Sequence, residues 1–129
     1  MARFRFVLLG AGFFARKWLE AVQARNDCEV VAIADRLSAQ AEALRDEFKL
    51  AGATLYADWK EAVTQGKADG VIITLPQTLH PEAAVLALKA GRHVLCEKPL
   101  AVDMAGARAV YDEARVRPGQ VLRNCKVII

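Results

Sequence analysis

The chain has 129 residues, of which 54% are hydrophobic and 26% charged. That composition supplies a core, excludes a disordered tail-like protein, and fits one domain burying roughly two thirds of its unfolded surface. A net charge of +3, with basic residues scattered along the sequence, provides no concentrated phosphate footprint and argues against a nucleic-acid partner.

Taken in chain order, residues 4–9 form an apolar run read as a first strand. The wider apolar stretch from Phe6 to Ala15 follows a basic N-terminus but is interrupted by Gly10 and Gly12 and leads into Arg16 and Lys17, so it reads as a strand and turn rather than a secretion signal. Phe14, Trp18, Leu19 and Val22 then give a helical stripe. Residues 29–34 form a second strand, followed by a helix capped by Ser38 and striped by Ala41, Leu44 and Phe48. A short strand at 54–56 precedes a helix capped by Asp58. Residues 70–74 form a fourth strand, and Pro81 opens a helix carrying Ala84, Leu86, Ala87 and Leu88, ended by Gly91. A fifth strand at 93–96, a helix from Asp103 through 105–116 stopped by Pro118 and Gly119, and a last strand from Gln120 onward complete the series.

Strands that are apolar at consecutive positions and alternate with helices imply a parallel sheet covered on both faces, a doubly wound α/β fold. No apolar segment reaches the ~18 residues needed to span a bilayer, which excludes a membrane partner and makes a cytoplasmic protein the expectation. Cys28, Cys96 and Cys125 have no metal-ligand or paired spacing, so no metal site is expected and they read as reduced, buried thiols.

Gly10-Ala11-Gly12-Phe13-Phe14-Ala15 lies between the first strand and the first helix. In that context Gly10 permits a tight turn, Gly12 lets backbone approach a pyrophosphate, and Ala15 allows close helix packing. The helix N-terminus then offers free N–H groups to phosphates. Asp35 ends the second strand 20 residues after Ala15, placed to accept hydrogen bonds from ribose hydroxyls and to repel a 2′-phosphate. NAD is therefore expected as cofactor. Arg36 beside it keeps NADP open, and each of the two also has a plain reading, as a strand-end residue and a solvent-facing arginine. Ligands in such folds lie outside the carboxyl ends of the strands, where Thr74, Leu75, Pro76 and His80 follow the fourth strand and Glu97, Lys98 and Pro99 the fifth.

These segments, above all the run from Ala90 to Ala101 containing Glu97-Lys98-Pro99, make residues 3–122 resemble the N-terminal domain of the Gfo/Idh/MocA family, named for glucose-fructose oxidoreductase, inositol dehydrogenase and a rhizopine-catabolism protein. The resemblance implies a Rossmann fold of about six strands in the order 3-2-1-4-5-6, and an NAD(P)-dependent oxidoreductase acting on a sugar, polyol or related hydroxyl compound. It implies Lys98 as the catalytic residue, assisting proton transfer at the substrate hydroxyl, with Glu97 positioning it and Pro99 fixing the turn. Thr74, Leu75 and Pro76 would line the cofactor groove. His80 would lie near the nicotinamide, with local bonding at a helix start as its alternative. His93, Trp18 and Trp59 read as structural. Relatives continue into a second domain that builds the substrate pocket, so residues 1–129 are expected to be a dinucleotide-binding domain without its substrate domain. Apolar surface beside the sheet is then expected to drive homo-oligomerisation. A stand-alone nucleotide-binding module or partner subunit without turnover is the alternative.

Overall fold

The computed structural model describes residues 2–125. Six parallel strands, β1 (Phe4–Leu9), β2 (Cys28–Ala34), β3 (Thr54–Tyr56), β4 (Gly70–Ile73), β5 (His93–Cys96) and β6 (Leu122–Asn124), form one sheet in the order β3-β2-β1-β4-β5-β6. The order reverses between β1 and β4, which pair in register from Phe6 opposite Gly70 to Leu9 opposite Ile73. At that reversal the chain leaves β1 toward one face and β4 toward the other, which opens a crevice at the carboxyl edge.

Alternation along each strand sends side chains to two helical layers. Val7, Leu9, Val71 and Ile73 pack beneath α3 (Trp59–Gln65), α4 (His80–Lys89) and α5 (Met104–Arg115), against Ala62, Val63, Ala84, Leu88 and Val110. Leu8, Ile33 and Ile72 face α1 (Phe13–Gln23) and α2 (Ser38–Glu47), meeting Ala15, Trp18, Leu19, Ala41 and Leu44. Leu8, Leu9, Ile33, Ile72 and Ile73 are fully buried, each stabilising the fold by roughly 1.5–3 kcal/mol relative to exposure. Asp58 and Asp103 cap α3 and α5, accepting from the N–H of Lys60 and Gly106. Gly91, at φ +80°, follows the end of α4 in the left-handed conformation that glycine adopts without a Cβ penalty.

Four local expectations are corrected. Phe14 is 50% exposed, and the buried stripe of α1 is Ala15, Trp18, Leu19 and Val22, because close approach to the sheet selects the alanine one position on. Ser38 is the first residue of α2 and makes no capping hydrogen bond. The Asp35 carboxylate closes the preceding turn instead, accepting from the Leu37 N–H at 2.8 Å. Thr74 lies outside β4, its N–H and hydroxyl both directed at the Leu9 carbonyl. Gln120 precedes β6, with its amide donating to the Leu88 and Arg92 carbonyls. The rest of the expected last strand, 126–129, lies outside the described residues.

Candidate dinucleotide site

Gly10 leaves β1 at φ +94°, its N–H donating to the Ala34 carbonyl at 2.8 Å. A Cβ there would lie 2.6 Å from the Thr74 carbonyl oxygen. Only glycine satisfies both the backbone conformation and that approach. Gly12 is the N-cap of α1, and a Cβ built on it would meet nothing within 4 Å. No side chain caps this helix and its first turn holds no acidic residue, so its leading N–H groups face an open cradle suited to an anion. Ala15 is fully buried against the sheet.

Asp35 sits at the end of β2, half-buried. Its Oδ2 accepts from the Ala11 N–H at 2.9 Å and its Oδ1 from the Leu37 N–H. The carboxylate therefore ties the β1–α1 turn to the start of α2, and each oxygen keeps a lone pair for a hydroxyl donor. Arg36 beside it is exposed. A cleft of about 470 Å³ joins these groups, lined by Gly10, Ala11, Gly12, Asp35, Arg36, Thr74, Leu75 and Pro76. It also takes in Leu37, Gln40, Ala57, Trp59 and Leu79, which sequence reasoning missed. The strand-end rule applied to β3 would have found Ala57 and Trp59, which follow that strand within three residues.

Phe13, Phe14, Ala15, His80, Glu97 and Lys98 lie outside the cleft lining. Phe13 and Phe14 are exposed, with rings edge to face at 5.4 Å. Lys98 is exposed, follows β5, and forms no ion pair among the described residues; the Lys98–Pro99 peptide is cis. Glu97, by contrast, is 4% exposed and takes the Trp18 indole N–H at 2.6 Å. Burial, reinforced by Glu97 and Cys125, pushes the neighbouring Cys96 thiol up to about 12.

His80 is 2% exposed, with Nδ1 2.6 Å from the Pro99 carbonyl oxygen and Nε2 2.8 Å from that of Leu75. Both ring nitrogens are thus engaged by main chain, and the ring pins the loop after β4 to the turn after β5. A ring with hydrogen on both nitrogens donates to both carbonyls, and one with a single hydrogen donates to one. This is the local-bonding alternative extended to a second loop. His93, at the start of β5, accepts from the Val121 N–H through Nδ1 and lies at the opposite edge from the cleft.

A family model described as an oxidoreductase family with an NAD-binding Rossmann fold matches residues 4–124. D-glucoside 3-dehydrogenase of Escherichia coli is 37% identical over 119 residues, covering 92% of this chain and 33% of that protein. Among solved structures, a myo-inositol 2-dehydrogenase from Lactobacillus plantarum superposes with a TM-score of 0.87 at 26% identity, covering 95% of this chain and 36% of the other. A 3-ketoreductase from Actinomadura kijaniata, in complex with TDP-benzene and NADP, gives 0.83 at 33% identity over 95% of this chain and 38% of its own. The chain spans about a third of the length of the relatives it matches.

Proposed function

Because the chain belongs to the Gfo/Idh/MocA oxidoreductase family, as its NAD-binding Rossmann domain, we propose that residues 1–129 form the cofactor-binding domain of an NAD(P)-dependent dehydrogenase or reductase. The single observation that carries this reading is the cleft at the β1/β4 reversal, where the Gly10–Gly12 turn, the uncapped start of α1 and Asp35 converge. It fits a dinucleotide: the Gly12 cradle has room for phosphate oxygens and the carboxylate retains acceptor capacity for ribose hydroxyls.

When bound, the nicotinamide ring supplies a hydride acceptor or donor at C4. The first-turn N–H groups at Phe13, Phe14 and Ala15 hold the pyrophosphate, and Asp35 accepts from the adenosine ribose, favouring NAD. Arg36, exposed at the rim, is the residue that would admit a 2′-phosphate. Thr74, Leu75 and Pro76 form the wall toward the nicotinamide, and His80 acts through the two loops that it pins rather than by touching the cofactor. Lys98, its ammonium free of ion pairs among the described residues, stabilises the developing alkoxide and, in the direction of reduction, donates its own proton to that oxygen to give the hydroxyl. The substrate class proposed is a sugar, polyol or related hydroxyl compound, supported by relatives named as a glucoside dehydrogenase and an inositol dehydrogenase.

No helix among the described residues is long and apolar enough to cross a membrane. The free thiols of Cys28, Cys96 and Cys125 support a reducing, cytoplasmic setting. An apolar hollow of about 350 Å³ lined by Phe4, Phe6, Trp18, Val22 and Leu95 supports self-association through the sheet face, tested by sedimentation at high concentration. The cofactor reading is tested by calorimetric titration with NADH and NADPH. Saturable NADH binding that is stronger than NADPH binding is expected, and binding of neither would overturn it.

A further inference from the structure

Glu97 is a buried carboxylate with one satisfied oxygen. Oε2 accepts from the Trp18 indole N–H at 2.6 Å, while Oε1 is buried without a hydrogen-bond partner among the described residues. Glu97 forms no ion pair among the described residues. Buried polar groups are ordinarily paired, so an unpartnered buried carboxylate oxygen calls for an account. The main chain around it is held independently: the Glu97 N–H donates to the Ile73 carbonyl at 2.9 Å and the Asn124 amide reaches the Glu97 carbonyl at 3.3 Å. Among the described residues the side chain therefore has a single anchor, and that anchor is 79 residues away in sequence.

The two ends of this bond sit on the two parts of the site that must agree in position. Trp18 lies in the second turn of α1, the helix whose first turn faces the phosphate cradle. Glu97 immediately precedes Lys98 in the turn after β5. We propose that Trp18 is a positioning residue for the nicotinamide end of the site: its indole N–H holds the Glu97 carboxylate and so ties the Glu97–Pro99 turn, whose main chain is held by Ile73, Asn124 and His80, together with Lys98 to the phosphate helix. The inference rests on the dinucleotide reading above. The bond acts on the nicotinamide half and leaves the adenosine half alone, because Asp35, Gly10 and Gly12 are held by hydrogen bonds and backbone that do not involve Trp18.

That asymmetry supplies the test. Trp18→Phe keeps a ring in the buried cluster and removes the donor; Glu97→Met keeps the length of the side chain and removes the acceptor, leaving Trp18 to fill the core. Each is titrated calorimetrically with ADP, which reaches only the adenosine and pyrophosphate positions, and with NADH. The expected result for each folded variant is unchanged ADP affinity and NADH affinity weakened at least fivefold. A merely structural bond would loosen α1 and weaken both ligands in parallel. That outcome, or an NADH loss below fivefold in either folded variant, overturns the proposal. A wild-type chain that binds neither ligand overturns the dinucleotide reading first and this proposal with it, a result distinguishable from failure of the variants alone.

Discussion

Alanine at Gly10 and alanine at Gly12 should have opposite consequences, although the two sites lie two residues apart in one turn. At Gly10 the backbone is left-handed, φ +94°, which costs an L-residue about 1–2 kcal/mol. The added Cβ would also lie 2.6 Å from the Thr74 carbonyl oxygen and 2.9 Å from its carbon. Those atoms move only if the end of β4 moves, and such overpacking adds about 1–3 kcal/mol. The sum, about 2–5 kcal/mol, corresponds to a fall in Tm of roughly 8–20 °C for a domain of this size. At Gly12 the φ is −90° and the Cβ meets nothing within 4 Å, so stability should stay within about 1 kcal/mol of wild type. The same methyl projects into the cradle at the start of α1, and nucleotide affinity should fall at least tenfold. Thermal melts followed by circular dichroism, with ADP titrations on each folded variant, read both quantities. A Gly10→Ala protein melting within 3 °C of wild type would refute the steric argument. A Gly12→Ala protein that binds ADP undiminished would refute the cradle.

Three further outcomes are expected. The Arg92 guanidinium donates to the Ala68, Gly66 and Val63 carbonyls, closing the carboxyl end of α3, so Arg92→Met should lose about 1.5–3 kcal/mol in urea unfolding, and a loss below 0.5 kcal/mol would contradict that role. The Arg5 N–H, bonded to Asp69 at 2.9 Å, holds that carboxyl below its ordinary 3.8; its share of stability is present above that pH and lost as the pH falls through the lowered value, so Asp69→Asn should flatten the acid limb of a stability profile taken below about pH 5. Fully buried Cys96, its thiol raised to about 12, should escape alkylation of the native protein at pH 8 while half-buried Cys125 reacts slowly; mass spectrometry that finds Cys96 modified first would overturn this ordering.

The doubly wound sheet was legible because its signals are local. Residues 70–73 are apolar without a break and are buried on both faces, and a glycine turn between strand and helix can be recognised from adjacent residues. The left-handed Gly10, the Asp58 cap and the Gly91 stop belong to the same class. Contacts between distant residues were not legible. Nothing near Trp18 announces a carboxylate 79 positions on, and nothing near His80 announces the Pro99 carbonyl. Hydrophobicity alone favours Phe14 as the buried residue of the first turn of α1, whereas the distance between helix and sheet favours Ala15. Trp59 packs on the core and also lines the cleft, and periodicity cannot distinguish those faces for a half-buried ring.

The double attachment of Asp35 limits how cofactor preference can change in this protein. On the reading proposed above its carboxylate would select against a 2′-phosphate, and it also accepts from the Ala11 and Leu37 N–H groups. An engineer or an evolutionary lineage that removes the charge with alanine would also unfasten the turn that receives the pyrophosphate. The route that stays open runs through side chains that are neutral yet still accept a hydrogen bond, asparagine or serine, with Arg36 already in place to meet the phosphate. Redesign for NADP is therefore a question of preserving an acceptor before it is a question of adding positive charge.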